Sequence, residues 1–270
     1  MRSPAARYAI DLMRAFGGAL LFALPLLMTL EMWELGFHMD RWRLLLFLGA
    51  NLLTLLGLSY FAGFRESFSL REDLLDALAA AGVGVLASAG LLALLGLLTV
   101  ATPLDEAVGT VAVQSVPASI GAMAARRQLG GGDDAAEGRR VGYAGELFLM
   151  VAGAQFLAFT VAPTEEMVLL SVRMTPWHAL ALVALSLAVL HAFVFSLGFA
   201  GQEERPGEGG FGRPFLAFTL PGYGIAVLVS LYMLWTFGRT DGQAATGIAM
   251  MTAVLAFPAA TGAAVARLIV

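Results

Sequence analysis

Eight apolar segments, each long enough to cross a lipid bilayer, constrain the fold of this chain more than any other feature. A helix needs about 20 apolar residues to cross a hydrocarbon core of about 30 Å. Only 13% of the 270 residues are charged, against about 25% in soluble domains. The sequence therefore predicts an all-α, polytopic membrane helix bundle with eight transmembrane helices. The predicted spans are 15–36, 44–64, 77–100, 108–125, 143–163, 179–200, 214–237 and 245–270.

Residue types that the chain lacks rule out several kinds of chemistry. All 16 basic residues are arginines and there is no cysteine. The chain therefore has no lysine for a Schiff base or a nucleotide-binding loop, and no thiolate for a metal cluster. The net charge of −4 disfavours binding to nucleic acid. We expect no cofactor, no catalytic residues and no enzymatic activity. The expected partners are the lipid bilayer and an inorganic cation, with oligomerisation left open.

The placement of the arginines predicts the orientation of the helices. Of the 16 arginines, 12 fall on the side that holds both chain termini. Such an excess marks the cytoplasmic side of a membrane protein. The sequence thus predicts a multi-pass protein with both termini in the cytoplasm. The arginines on the opposite side are Arg41, Arg43, Arg173 and Arg239.

A shift of 135 residues aligns the chain with itself over its first two predicted spans. Gly18-Ala19 then matches Gly153-Ala154, and Trp42 matches Trp177. After short slips in the later connections, the sequence Pro-Ala-x-x-Gly-Ala at 117–122 matches 258–263. Because each copy holds an even number of helices, both copies cross the membrane in the same direction, and we predict a parallel 4+4 internal repeat.

This duplication sets the predicted domain organisation. Residues 1–128 form the first four-helix repeat, residues 129–142 a cytoplasmic linker rich in Gly, Asp and Arg, and residues 143–270 the second repeat. A pseudo-two-fold axis along the membrane normal brings equivalent residues of such repeats toward a shared interface. We therefore expect a transport site at that interface.

Four stretches of the chain resemble a bacterial family of integral membrane proteins of unknown function. The resemblance covers nearly the whole chain and implies an eight-helix protein of a bacterial inner membrane. It implies no catalytic or binding residues. The stretches are GALLFALPLLMTLEMW (18–33), APTEEMVL (162–169), MTPWHALA (174–181) and LWTFGRTDG (234–242).

The first candidate site is a group of acids near the non-cytoplasmic ends of the first and fifth helices. Glu31 and Glu166 match in the repeat, Glu34 lies one turn from Glu31, and Glu165 precedes Glu166. A vestibule of carboxylates concentrates cations, and carboxylate oxygens bind hard ions such as Ca²⁺ and Mg²⁺. The alternative interpretation is a belt of ion pairs with the outer arginines.

Two further acids, Asp11 and Glu146, match at the cytoplasmic ends of the same two helices. One interpretation is a proton or cation path that runs along each helix to Glu31 and Glu166. However, a separation of 20 residues places the two acids of one helix near opposite faces if the helix is straight. The alternative interpretation is stabilisation of each helix N-terminus by the negative charge.

The third candidate is the repeated Pro-Ala-x-x-Gly-Ala sequence of the fourth and eighth helices. Proline removes a backbone donor and frees a carbonyl, which coordinates an ion in some transporters. Glycine and alanine let neighbouring helices approach closely. Pore lining and tight packing fit this sequence equally well. The residues are Pro117, Ser119, Gly121, Pro258, Thr261 and Gly262.

His191 is the only histidine well inside a predicted span, and its repeat equivalent is Leu56. A lone buried histidine more often bonds to a neighbour than binds a metal ion, and a role of His191 in ion binding or in the pathway stays open. A divalent-metal site formed by His38, His178 and the outer glutamates is a further alternative, so the metal is unknown.

Three functions fit these features. A channel or secondary transporter for protons or a divalent cation is the preferred hypothesis, because the duplicated bundle, the matched acids and the Pro-Gly helices are features of transport proteins. A non-transporting scaffold, sensor or assembly partner is the alternative, because polar residues are scarce in the middle of the spans. A membrane enzyme that acts on lipid or quinone is the least favoured.

Overall fold

The computed structural model describes residues 4–62, 70–129, 142–197 and 212–269, and within them every regular element is helical. Eight of these helical segments are long and apolar enough to cross a membrane, which confirms the prediction of an all-α chain with eight spans. The helices are α1 (Pro4–Leu27), α2 (Leu30–His38), α3 (Arg41–Ala62), α4 (Leu70–Leu94), α5 (Leu104–Leu129), α6 (Tyr143–Val161), α7 (Glu165–Arg173), α8 (Pro176–Leu197), α9 (Leu220–Thr236) and α10 (Ala245–Ile269).

The chain divides into two compact units at Gly138–Arg139. Unit 1 contains α1–α5 and unit 2 contains α6–α10. Residues 130–141 of the predicted linker lie outside the described residues, as do the last residues of the second, sixth and eighth predicted spans.

Helix α5 is the centre of unit 1. It packs against α1, α2, α3 and α4. In its membrane-capable stretch 72% of the residues are buried, whereas the share is 33% in α1 and in α3. The polar residues in the middle of α5 are therefore held inside protein and do not face lipid; they are Thr110, Gln114, Ser115 and Ser119.

Helix α10 has the corresponding place in unit 2. It packs against α6, α7, α8 and α9, and 56% of its membrane-capable stretch is buried, against 22% in α8. The helix that carries the Pro-Ala-x-x-Gly-Ala sequence is thus the core helix of each unit.

Pairs of glycines bring these core helices into backbone contact with a neighbour. In unit 1 a Cβ atom at Gly18 would overlap the carbonyl oxygen of Gly121, and in unit 2 a Cβ atom at Gly153 would overlap that of Gly262. Only glycine permits such an approach, because any side chain would displace the opposing backbone. Within their own units, Gly121 and Gly262 therefore allow two helices to pack closely.

The first predicted span, 15–36, is two helices, and its prediction as one was wrong. Helix α1 ends at Leu27 and α2 begins at Leu30. Side chains take up the last carbonyl groups of α1: the Thr29 hydroxyl donates to the Leu26 carbonyl at 2.8 Å, and the Trp33 indole donates to the Leu27 carbonyl at 2.7 Å. As a result Glu31 lies on α2, outside the membrane-capable stretch.

The third predicted span, 77–100, ends early because of a glycine. Helix α4 stops at Leu94, and Gly96 has a φ of 75°. The Leu97 amide then donates to the Leu92 carbonyl at 2.9 Å, which is the bond that closes a Schellman C-cap. Glycine alone adopts this left-handed conformation without strain.

The seventh predicted span, 214–237, begins with a π-helical segment, Phe215–Thr219, which leads into α9. Pro221 follows and has no N–H to donate to the Ala217 carbonyl, which is its normal partner in an α-helix. The Tyr143 hydroxyl of α6 donates to that carbonyl at 2.8 Å instead. The change of helix type is therefore supported by a side chain from the neighbouring helix.

Candidate functional site

The outer acids differ in exposure. Glu31 is half-buried on α2, Glu34 is exposed, and Glu165 and Glu166 are exposed in the first turn of α7. Acids in a first turn also stabilise the helix through its dipole. Such exposed carboxylates act on a cation through their field rather than by enclosing it.

The two outer histidines make contacts close to their own positions in the chain. The His38 ring lies 3.2 Å from the Glu34 carbonyl oxygen, and the His178 ring lies 2.7 Å from the Thr175 hydroxyl. In the described part of the chain, no group of three or more His, Asp or Glu side chains is close enough to hold a metal ion.

Two of the outer arginines, Arg41 and Arg239, contact the ends of neighbouring helices. Arg41 lies 3.6 Å from Asp105, and both side chains are more than half exposed, so this pair contributes little to stability. Arg239 donates to the Pro163 carbonyl oxygen at the end of α6. The sequence suggests an acid as the partner of Arg239, whereas the described contact is with backbone.

The matched inner acids have different surroundings. Asp11 is partly exposed and lies 3.2 Å from Arg14, one turn along α1. Glu146 is 1% exposed. A third inner acid, Asp73, is also buried and accepts a hydrogen bond of 3.0 Å from Ser59. Sequence reasoning missed Asp73 because it lies before the start of the predicted span at residue 77.

Thr110 and Gln114 form a polar line on the face of α5 that packs against α1 and α2. They are one turn apart, and Gly121 is two turns further along the same face, against Gly18 of α1. Thr110 lies against Gly36 of α2. Gln114 is 0% exposed, and neither of its amide atoms has a hydrogen-bond partner among the described residues.

A second polar contact lies on another face of α5. The Asn51 amide of α3 donates to the Ser119 hydroxyl at 3.0 Å, and Ser119 donates in turn to the Val116 carbonyl at 2.8 Å. Ser119 also lies against Gly84 of α4. The hydroxyl of Ser119 is therefore engaged in holding α3, α4 and α5 together.

The core helix of unit 2 carries apolar residues where α5 is polar. The shift that aligns Pro117 with Pro258 aligns Gln114 with Leu255 and Thr110 with Met251, and both are buried. Thr261 donates to the Phe257 carbonyl of its own helix at 3.0 Å. Among the described residues, only the unit 1 copy of the Pro-Gly helix holds a buried carboxamide.

His191 is buried between α8 and the π-helical segment. Its Nδ1 atom lies 2.9 Å from the Thr219 hydroxyl, and its ring meets the edge of Phe215 at a centroid distance of 5.5 Å. This contact joins α8 to the start of the seventh span. It is a helix-to-helix contact of the kind expected for a lone buried histidine.

Gln114 is the functional candidate that sequence reasoning did not select. Its signal is a carboxamide in the middle of a span, one turn from Thr110 and three residues before Pro117. The sequence does not say which face of the fourth span is buried, so this signal was no stronger than that of Gln155 or Asn51.

Comparisons with known proteins give one match. A family model described as "Putative integral membrane protein (DUF2391)" matches residues 11–270. No curated protein and no solved structure matches the chain significantly.

Proposed function

We propose, from the premise that the chain belongs to the DUF2391 family of integral membrane proteins, that it is a cation channel or secondary transporter with no catalytic role. The observation that carries this proposal is the buried carboxamide of Gln114, which lies unbonded in the core helix of unit 1. Polar side chains at membrane depth are costly, and substrate and ion pathways are among the functions that they mark.

We propose further that the two units are parallel copies of one four-span ancestor. Helices α2 and α7 are both nine residues long and begin 135 residues apart, and α3 and α8 are both 22 residues long with the same offset. The contact of Gly18 with Gly121 in unit 1 recurs as Gly153 with Gly262 in unit 2. The packing therefore supports the match found in the sequence, with a shift of 135 residues for the first helices of each unit and 141 for the core helix.

The arginine distribution supports a location in a bacterial inner membrane with both termini in the cytoplasm. In this orientation α2, α7 and the exposed Glu34, Glu165 and Glu166 lie at the outer surface. Their charge raises the local concentration of cations at the entrance. Within unit 1, the proposed path begins at Glu34 and continues along Thr110 and Gln114 of α5.

The direct test is ion flux in proteoliposomes that contain the full chain. Gradients of H⁺, Na⁺, K⁺, Ca²⁺ and Mg²⁺ are imposed one at a time, and flux is compared with empty liposomes. The proposal expects flux of at least one cation above that background. Background rates under every gradient would reject it.

Neutralising the outer acids should weaken cation entry. The double variant Glu31→Gln and Glu166→Gln is expected to reduce flux several-fold at low ionic strength, and less in about 1 M salt, where the screening length falls to about 3 Å. Glu72→Gln, an exposed acid at the start of α4, is the control. Equal flux in the double variant and the control would contradict the role of the outer acids.

A non-transporting scaffold is the second candidate, and close packing favours it. Fully buried alanines such as Ala118, Ala122, Ala259 and Ala263 fill the core helices, and the glycine pairs leave no space between the backbones that they join. This alternative predicts no flux under any gradient.

A further inference from the structure

The break between α1 and α2 lies level with Gln114 of α5. Gly18 lies against Gly121 and Ala125, and Gly121 also lies against Phe22, so α1 and α5 run antiparallel. The end of α1 and Gln114 of α5 both lie about two turns outward from the Gly18–Gly121 contact, which is roughly 11 Å along each helix. They are therefore at the same depth in the membrane. Because Thr110 lies one turn further out against α2, Gln114 faces the junction of the two helices.

Two neutral side-chain oxygen atoms of α5 lie next to this junction. The Gln114 side-chain oxygen and the Thr110 hydroxyl are buried, and neither has a hydrogen-bond partner among the described residues. The C-terminal end of α1 adds a partial negative charge. Broken helices in transporters bind cations by the combination of a helix end with nearby polar groups. Because the carbonyl groups of the last two residues of α1 already accept from Thr29 and Trp33, the free oxygen atoms are those of α5.

We infer that the α1–α2 junction is a binding site for a monovalent alkali cation. Neutral oxygen ligands suit a hard cation, and the acid nearest to Gln114 on α5 is Glu106, two turns away. A divalent ion is normally held by several carboxylates, whereas the acid closest to the break is the single Glu31 in the first turn of α2, and this favours a single charge. That the bound ion is transported rests on the proposed function, whereas its binding at the junction does not.

The site belongs to unit 1 alone. Unit 2 has the same break, between α6 and α7, and the same proline, Pro258. Its residues at the two ligand positions are Met251 and Leu255, which are 2% and 0% exposed. Neither offers an oxygen, so the inferred ion is bound once in each chain.

The test is the melting temperature (Tm) of the full chain in detergent, with unfolding monitored by tryptophan fluorescence. Tm is measured in NaCl, KCl and choline chloride at equal ionic strength. A bound cation raises Tm with the logarithm of its concentration, so Na⁺ or K⁺ should raise Tm above its value in choline. Gln114→Leu should increase the half-effective concentration about tenfold or more, whereas Gln155→Leu in α6 should not. Equal Tm values in all three salts, or an unchanged response of Gln114→Leu, would overturn the inference.

A second variant keeps the test decisive if Gln114→Leu does not fold. Gln114→Glu places a carboxylate at the site, so Mg²⁺ or Ca²⁺ should raise the Tm of this variant and not that of the wild type. No gain of a divalent response would overturn the inference. If Tm depends on the cation but no flux is measured, the binding site is supported and the transport function is rejected. If flux is measured but Tm does not depend on the cation, transport is supported and the binding site is rejected.

Discussion

Replacing Gly121 with alanine is expected to destabilise unit 1 by on the order of 3 kcal/mol or to prevent its folding. The new Cβ atom would lie 2.5 Å from the Gly18 carbonyl oxygen and 2.5 Å from the Phe22 Cβ atom. Both are fixed by the helical backbone of α1, so the clash is relieved only if α1 moves away from α5. Such a movement would open the most extensive helix contact of the unit.

Thermal unfolding in detergent measures this effect, and the chain offers matched controls. Gly17 lies on α1 next to Gly18, and a Cβ atom added there would have no neighbouring atom within 4 Å. Gly17→Ala should therefore leave Tm unchanged or raise it slightly, because alanine has a higher helix propensity than glycine. Gly262→Ala should repeat the loss in unit 2, because its Cβ would meet the Gly153 carbonyl oxygen. A Tm for Gly121→Ala equal to that of Gly17→Ala would contradict the described packing.

Gln114→Leu is expected to lower cation flux about 100-fold, which equals roughly 2.7 kcal/mol of lost ion stabilisation. A hydrogen-bonding group that contacts a charge contributes about 1.5–3 kcal/mol, so the loss of one ligand is sufficient. Leucine fits a membrane interior and is the residue at the matching position of α10. The variant therefore changes polarity at the site more than packing.

Flux is measured in proteoliposomes under the gradient that gives the highest wild-type rate. Gln155→Leu applies the same chemical change to α6 of unit 2, which is not part of the proposed site, and should keep the wild-type rate. Melting curves of both variants show that each is folded. A Gln114→Leu rate within twofold of the control would remove Gln114 from the pathway.

The number of membrane helices was predictable because hydropathy is a local property. Each span is an apolar stretch with few charges, and neighbours are not needed to recognise it. The break at residues 28–29 was not predictable, since hydropathy continues through Met28, Thr29 and Leu30. The end of α1 depends on the Trp33 indole reaching the Leu27 carbonyl, and that contact exists only in three dimensions.

The candidate site was only partly accessible from the sequence. The Pro-Gly helices were identified, and their central position follows the expectation that small residues allow close approach. From the sequence, Glu31 and Glu166 were stronger candidates than Gln114, because they occupy equivalent positions in the two repeats. Their approach to a common axis stays a prediction.

By itself the sequence determined the environment of this protein, because eight long apolar stretches with few charges are stable only in a bilayer. Tertiary structure alone decided which helix lies at the centre of each unit and which polar atoms inside it find partners. Burial and hydrogen bonding depend on what lies opposite a residue. Asn51 and Gln114 are both buried carboxamides, yet Asn51 donates to Ser119, whereas neither amide atom of Gln114 has a partner among the described residues.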